Sequence, residues 1–190
     1  MPLTSIKWRV HHLDTVEAKN TGKFDIATLP EGTDLGTALA KGDIDALFFS
    51  RTPRAKQGPQ ERIRRLSEDA RAAEESYARS HGYWPIMHIV ALKEEAVAAN
   101  PDLPVQLMAA FADASRIAAG YLIDPNWSQI MWAKYALDQE RSALGRSLWT
   151  AGVAANRANL ERFVGYSFDQ GLTDRLMSVE ELFHPSVRQT

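Results

Sequence analysis

Arginine side chains at the ends of predicted elements are the first candidates for chemistry in this sequence. Arg51 follows a predicted strand, and Arg157 stands beside Asn156 at the start of a predicted helix. The guanidinium of an arginine is planar and permanently charged, so it can hold a carboxylate through two parallel hydrogen bonds. Structural ion pairs with aspartate or glutamate explain both positions equally well, and the pattern leaves the two interpretations open.

A histidine within an apolar stretch is the second candidate. His88 ends the sequence GYWPIMH, which begins at Gly82, and the run IVAL follows it. Apolar neighbours are expected to desolvate this imidazole in part, and an imidazole is suited to proton transfer at neutral pH. A core histidine with satisfied hydrogen bonds is the alternative. His11 and His12 end the first predicted strand, but no carboxylates stand at a spacing that indicates a metal site, so we expect none.

Tryptophans can supply a flat surface for an aromatic ligand. Trp84, Trp127, Trp132 and Trp149 can line a pocket for a ring, although core packing explains tryptophans at these spacings as well. The sequence has no glycine-rich nucleotide-binding motif, no zinc-protease motif and no hydrolase nucleophile motif. The common fingerprints of those classes are therefore absent.

The composition is that of an ordinary globular protein. Its 190 residues are 45% hydrophobic and 24% charged, enough to bury a core in one domain or two small ones. The net charge of -2 argues against a nucleic-acid partner, which would require a basic surface. The absence of cysteine excludes disulfides and a cysteine nucleophile. No segment reads as a secretion signal or a membrane span, so we expect a cytoplasmic protein without a membrane partner.

The N-terminal part is predicted to alternate between strand and helix. Strands are expected over residues 6–10, 24–27 and 44–49. The last is an apolar run bounded by Gly42 and Pro53, as is typical of a strand buried on both faces. A helix capped by Thr33 or Asp34 precedes it. The order strand, helix, strand indicates a parallel sheet, with ligands outside the C-terminal strand ends, here residues 50–53.

The C-terminal half is predicted to be almost entirely helical. Helices are expected over residues 68–80, 93–100, 104–122, 127–144 and 155–172, and a short one follows Ser178. On the helix over 104–122, one face carries Leu107, Phe111, Ala114, Ala118 and Tyr121. The helix over 155–172 is expected to direct inward Leu160, Phe163, Val164 and Phe168.

An ordered set of short motifs runs from about residue 34 to residue 184. Its members are Gly42–Leu47, Arg51–Pro53, Arg65–Leu66 with Asp69, Gly82, Pro85–His88, Trp149 with Gly152, Asn156–Arg157, Leu160–Glu161, Gln170–Leu172 and Glu181–Phe183. In this order the set resembles the C-terminal part of the 4,5-dihydroxyphthalate decarboxylase family. The pairs Tyr83–Trp84 and Thr150–Ala151 differ from those typical of that family, and both lie near the expected pocket.

The resemblance implies an α/β fold of the type II periplasmic-binding-protein kind, in which two lobes joined by two crossing strands enclose the ligand. Residues 1–82 would form a partial α/β lobe, residues 83–92 a hinge crossing strand, and residues 93–190 the mostly helical part of the other lobe. The family's N-terminal portion has no counterpart here, so the expected fold is N-terminally truncated. Uncovered sheet edges favour self-association, and we expect a homo-oligomer.

The same resemblance implies a carboxy-lyase that acts on a hydroxylated aromatic dicarboxylate similar to 4,5-dihydroxyphthalate. Such a reaction needs a proton donor at the ring carbon, a cationic site for the carboxylate that stays and a poorly solvated site for the one that leaves. It needs no metal and no organic cofactor. We predict His88 as the proton donor. The predicted substrate contacts are Arg51, Arg157, Asn156, His11, Trp84 and Trp149.

Two other hypotheses remain open. A solute-binding protein or ligand sensor for a small carboxylate, of the kind that serves ABC transporters, would use the same fold and the same arginines for binding only. An incomplete chain without activity is the third hypothesis. Release of CO2 from hydroxylated phthalates separates the first hypothesis from the other two.

Overall fold

A computed structural model gives the fold over residues 2–11, 21–55, 58–124, 126–127, 129–145 and 150–190. The chain divides into two compact units. Unit 1 consists of Met1–Ala70 and Gln170–Leu172, and unit 2 consists of Arg71–Asp169 and Thr173–Thr190. Over the described residues the structure has α/β character, because it combines one two-stranded parallel sheet with a majority of helices.

Unit 1 contains the parallel strands β1 (Lys7–Val10) and β2 (Asp25–Thr28). In their register, Trp8 lies opposite Ile26. The residues of β1 alternate between exposed and half-buried, as expected of a strand with one covered face. Both strands were predicted from the sequence, and each lies within one residue of its predicted position.

A single helix, α1 (Leu35–Lys41), follows β2 and has both of its predicted caps. Asp34 is the N-terminal cap, because its Oδ1 accepts a hydrogen bond from the backbone N–H of Thr37 at 2.9 Å. Gly42 ends the helix with a φ of 84°, a left-handed conformation that glycine adopts without strain.

The inner face of α1 is made of small side chains. Gly36 and Ala40 are buried one helical turn apart, and a Cβ on Gly36 would lie 2.3 Å from the carbonyl oxygen of Arg54. At Gly58 the approach is looser, because a Cβ there would lie 3.5 Å from the Cβ of Ala40, an ordinary van der Waals distance. The backbone of Arg54 can therefore approach α1 closely only because position 36 is a glycine.

The prediction of a buried strand over residues 44–49 is wrong. The structure has no strand at these positions, and the side chains of Phe48 and Phe49 are 84% and 56% exposed. Among the described residues β1 and β2 pair only with each other. An apolar run becomes a strand only where a neighbouring strand completes its backbone hydrogen bonds, and none is available here.

The remaining helices are α2 (Ala70–His81), α3 (Glu94–Ala99), α4 (Leu103–Ile123), α5 (Ala133–Leu144), α6 (Arg157–Asp169) and α7 (Val179–Leu182). Each corresponds to a predicted helix. The largest difference is at α5, which begins six residues later than the predicted start at Trp127. The described residues between 126 and 132 form turns instead, closed by a hydrogen bond of 3.1 Å from Ala133 N to Ile130 O.

The core of unit 2 is a cluster formed by α6, α7 and the C-terminal turn Pro185–Val187. Its buried members are Val153, Leu160, Val179 and Val187, and Ile86, Met108 and Phe183 pack against them. Full burial of one such side chain stabilises a fold by about 1.5–3 kcal/mol. This cluster is therefore the main hydrophobic contribution to unit 2 among the described residues.

Helix α6 buries only part of its predicted inward face. Leu160 and Val164 are buried, as predicted, but Phe163 and Phe168 are 63% and 42% exposed. Their predicted inward placement is wrong, because a helical period locates an apolar face and does not determine how much of that face another segment covers.

Helices α4 and α5 leave large apolar side chains in contact with solvent. Phe111, Ile117 and Tyr121 of α4 are about half exposed, and Trp132 and Tyr135 are more exposed still. None of the described helices is long and apolar enough to cross a membrane.

Residues 83–93 lie outside every described helix and strand. The strand predicted over 83–92 does not form there, because no described strand pairs with this stretch. Ile86 packs on the core of unit 2, whereas Met87, Ile89 and Val90 are exposed. The hinge role of this stretch, and the division of the chain into lobes at residue 82, stay predictions.

Candidate functional site

Two of the predicted substrate contacts belong to unit 1. Arg51 is exposed, and no described residue forms an ion pair or a hydrogen bond with its guanidinium. His11 is also exposed, and its Nε2 lies 3.1 Å from the carbonyl oxygen of Thr33. Arg51 is therefore available to an incoming anion, whereas His11 is already engaged by the backbone.

His88, the predicted proton donor, is exposed within residues 83–93 of unit 2. The expectation of a partly desolvated imidazole is wrong, because no described strand lies beside this stretch to cover it. Among the described residues no group donates to or accepts from the ring. Both ring nitrogens are thus open to a ligand, and no described side chain fixes their orientation.

Arg157 is the first residue of α6 and joins two carboxylates. Its Nη1 lies 3.3 Å from Oε1 of Glu161, one turn further along the helix, and its Nη2 donates to Glu180 of α7. These hydrogen bonds, the one to Glu180 first, raise the pKa of Arg157, and the same contact lowers the pKa of Glu180. Arg157 thus has the structural ion pairs of the alternative interpretation, and it can bind a ligand only by sharing its N–H groups.

Asn156 stabilises the turn that precedes α6 through two hydrogen bonds to its backbone. Its Nδ2 donates to the carbonyl oxygens of Thr150 and Gly152, at 2.7 and 2.8 Å. Both amide hydrogens are therefore used, and the remaining Oδ1 is an acceptor that cannot donate to a carboxylate. In this structure Asn156 supports the backbone beside Arg157 and does not offer a donor to an anion.

Trp84 is half-buried and lines a cavity of about 410 Å³ between α2 and α5. The described residues that line the cavity are Arg71, Glu74, Glu75, Trp84, Ala136, Glu140 and Leu144. Arg71 is engaged by Glu75, at 2.8 Å, and by Gln139, at 2.9 Å. The lining carries the carboxylates of Glu74, Glu75 and Glu140 but only the one guanidinium of Arg71, so its net negative charge disfavours a dianionic ligand. The described cavity therefore does not suit an aromatic dicarboxylate.

The structure links three of the predicted residues within unit 2. Asn156 and Arg157 are adjacent at the start of α6, and Asn159 on the same helix donates from Nδ2 to the carbonyl oxygen of Trp84 at 2.6 Å. Trp149 lies outside the described residues. Arg51 and His11 belong to unit 1, so the predicted contacts are divided between the two units.

Three residues near Arg157 were missed by the sequence reasoning. Asn159 is buried, and the signal that could have found it is a polar side chain next to Leu160 on the apolar side of α6. Glu180 follows Ser178 in a sequence typical of a helix start, which predicts the helix but not the ion pair. The third residue is Thr190, which accepts hydrogen bonds from the backbone of the turn before α6, and no sequence signal indicates these contacts.

No group of three histidine, aspartate or glutamate side chains is arranged to hold a metal ion in the part of the chain that the structure describes. Acidic side chains on α7 are instead engaged by arginines. The two nitrogens of Arg175 lie 2.5 and 3.1 Å from the carboxylate of Glu181. These hydrogen bonds are the first cause that lowers the pKa of Glu181 to about 2.

The fold is thus α/β, and arginine and histidine side chains dominate the candidate site. The chain is similar to 4,5-dihydroxyphthalate decarboxylase of Comamonas testosteroni, with 27% identity over 177 residues. The aligned region covers 92% of this chain and 53% of the decarboxylase, so the chain spans about half the length of that protein. It is a distant relative of the decarboxylase, and the resemblance predicted from the motifs is confirmed. The chain matches no protein-family model.

Proposed function

We propose that this chain takes part in the decarboxylation of a hydroxylated aromatic dicarboxylate, on a two-lobed fold of the type II periplasmic-binding-protein kind. The observation that carries the proposal is the similarity to a 4,5-dihydroxyphthalate decarboxylase over 92% of the chain. The region in question contains Arg51, His88 and Arg157, the residue types that the reaction requires.

The reaction replaces a carboxylate on the ring by a proton. The ring carbon that bears the carboxylate is protonated first, while a neighbouring hydroxyl group supplies electron density to the ring. The bond from this carbon to the carboxylate then breaks, its electron pair restores the aromatic ring, and CO2 leaves. Atoms and charge balance without an oxidant or a reductant, so the protein must supply a proton and a place for the second carboxylate.

We assign the proton to His88. Its ring nitrogens have no described hydrogen-bond partner, so either one can face a bound substrate. An exposed imidazole becomes an efficient acid only when a ligand or another segment excludes water from it. The proposal therefore requires that a ligand or another segment covers residues 83–93 when substrate is bound.

We assign the retained carboxylate to Arg51 in the first place. Its guanidinium has no described partner, so a carboxylate gains two charge-assisted hydrogen bonds there without displacing another group. Arg157 is the second candidate, and Glu161 and Glu180 compete with the substrate for it. The other predicted contacts carry no weight in this proposal. Asn156 and His11 are engaged by the backbone, Trp84 lines an acidic cavity, and Trp149 lies outside the described residues.

The test is CO2 release from 4,5-dihydroxyphthalate by the purified chain, combined with calorimetric measurement of ligand binding. H88Q should lower turnover by about 100-fold or more, the contribution typical of a general acid, while the dissociation constant stays the same. H184Q is the matched control, since His184 is an exposed histidine outside the proposed site, and it should keep full turnover.

The same binding measurement tests the role assigned to Arg51. R51Q should raise the dissociation constant by about 10- to 100-fold, because a hydrogen bond to a charged group is lost. R116Q, which removes an exposed arginine of α4, should leave it unchanged. Binding without any CO2 release by the unaltered chain would overturn the decarboxylase proposal in favour of a solute-binding role. Absence of both would exclude both functions for this chain.

A further inference from the structure

The C-terminal residue of the described chain holds the turn that leads into α6. The carbonyl oxygen of Thr190 accepts from the backbone N–H of Ala154 at 2.6 Å and from that of Ala155 at 3.3 Å. Its Oγ1 accepts from the N–H of Val153 at 3.2 Å and donates to the carbonyl oxygen of Val187 at 2.6 Å. One residue thus satisfies three consecutive backbone donors that α6 itself cannot reach.

Gly152 makes this contact sterically feasible. Its φ is 115°, a conformation that other residues rarely adopt. A Cβ at this position would lie 2.6 Å from the carbonyl carbon of Thr190 and 2.7 Å from its oxygen, so a larger residue would displace the tail. The glycine is required both for its backbone angle and for the close approach of Thr190.

Asn156 holds the same turn from its other side. Its amide donates to the carbonyl oxygens of Thr150 and Gly152, while Thr190 binds the N–H groups of residues 153–155. The turn is therefore fixed through both its carbonyl and its N–H groups. Arg157 follows immediately as the first residue of α6, so the direction of its side chain depends on this turn.

We infer that Thr190 is a positioning residue for Arg157. By fixing the backbone over residues 152–156, it keeps the guanidinium of Arg157 aimed at Glu180. In the site proposed above, the same turn would orient Arg157 as the second contact for the substrate carboxylate. The ligand part of this inference rests on the proposed function, whereas the effect on Arg157 does not. A displacement of about 1 Å is enough to weaken an oriented contact strongly, so the tail would control binding without touching the ligand.

The test compares variants of the tail. Deletion of Gln189 and Thr190 removes every contact, T190V removes only those of the hydroxyl, and T190S retains all of them. Q189A is the matched control in the same segment, because Gln189 is exposed and no described residue bonds to its side chain. The deletion should change the measured properties of Arg157 and its turn most, and T190V should change them less. T190S and Q189A should behave like the unaltered chain.

Two readouts do not depend on any ligand. Hydrogen exchange of the amides of Ala154 and Ala155 should become at least about tenfold faster on deletion, because their acceptor is gone. The NMR signal of Arg157 Nε–H should shift in the deletion variant and in T190V, and it should stay in place in T190S. If the Arg157 signal is unchanged after deletion while the protein remains folded, the inference is wrong.

The third readout is binding of 4,5-dihydroxyphthalate. The deletion should raise the dissociation constant as much as R157Q does, and the two changes combined should have no further effect, because both act through one contact. Additive losses would show that Thr190 only stabilises the fold, and would overturn the inference. If the unaltered chain binds no ligand, the proposed function fails, and the Arg157 signal then decides the inference by itself.

Discussion

Helices α6 and α4 both belong to unit 2, and both carry an apolar face that the sequence predicts, yet the two faces have different surroundings. On α6, Leu160 and Val164 are 6% and 5% exposed. On α4, Phe111 and Tyr121 are each 51% exposed. The same helical period therefore leads to a buried stripe in one place and to a half-exposed one in the other.

The difference comes from the segments that lie over each helix. Helix α7 and the turn Pro185–Val187 cover α6, and their Val179 and Val187 are buried with Leu160. At the beginning of α4, Pro104 is buried and Met108 packs against the same cluster. Helix α5 also lies beside α4, but it leaves Phe111 and Tyr121 half exposed. An amphipathic period indicates where a helix must be covered, and the tertiary structure determines whether a segment is present to cover it.

The largest expected effect is the loss of a buried side chain from α6. L160A should lower the free energy of unfolding by about 2–5 kcal/mol, because it leaves a cavity in the cluster. F163A on the exposed side of the same helix is the matched control, and it should change stability by less than about 1 kcal/mol. Urea unfolding followed by circular dichroism measures both. Equal losses would mean that α6 is covered on both sides.

A smaller, pH-dependent effect is expected at α7. The Arg175 guanidinium lowers the pKa of Glu181 to about 2, from an ordinary value of 4.5. A lowered pKa in the folded state adds stability above pH 4.5, and this stability is lost as the pH falls from 4.5 through about 2.

The melting temperature of the unaltered chain should therefore exceed that of E181Q at neutral pH, and the difference should shrink to zero by about pH 2. E95Q on α3 is the control, since no described ion pair involves Glu95, and it should show no such trend. A constant difference between the unaltered chain and E181Q across this range would contradict the role assigned to the pair of Arg175 and Glu181.

The smallest effect is expected on the exposed face of α4. F111S should lower the free energy of unfolding by no more than about 1 kcal/mol, because about half of the Phe111 side chain is already exposed and serine and phenylalanine have similar helix propensities. The same urea unfolding experiment measures it. A loss as large as that of L160A would show that the face of α4 is covered in solution, for example in a self-associated form.

Local structure in this protein follows from the sequence, because each signal acts over a few residues. Asp34 and Gly42 cap α1 as predicted, and the helices of unit 2 lie close to their predicted positions except for the late start of α5. Strands are less predictable, since they depend on a partner that is distant in sequence. The strands predicted over 6–10 and 24–27 pair with each other, whereas the more apolar residues 44–49 and the stretch 83–92 have no described partner strand and form no strand.

The candidate site shows the same division. Residue type together with the motif match selected Arg51, His88 and Arg157 as groups suited to an organic acid and a proton. The sequence could not indicate that Glu180 forms an ion pair with Arg157, because the two residues lie more than twenty positions apart. It could not indicate that Asn156 donates to the backbone of the turn beside it, because that contact depends on the backbone angle of Gly152.

By itself, the sequence determined the helices, the two caps of α1 and the distant relationship to a decarboxylase, since all of these depend on residue type and short-range order. Only the tertiary structure decided which apolar faces are covered and that His88 is exposed. It also decided that Arg157 forms ion pairs, whereas Arg51 has no described partner. Those properties depend on what lies across from each residue. The contact of Thr190 with the turn before α6 is the clearest case, because nothing in either segment alone predicts that they meet.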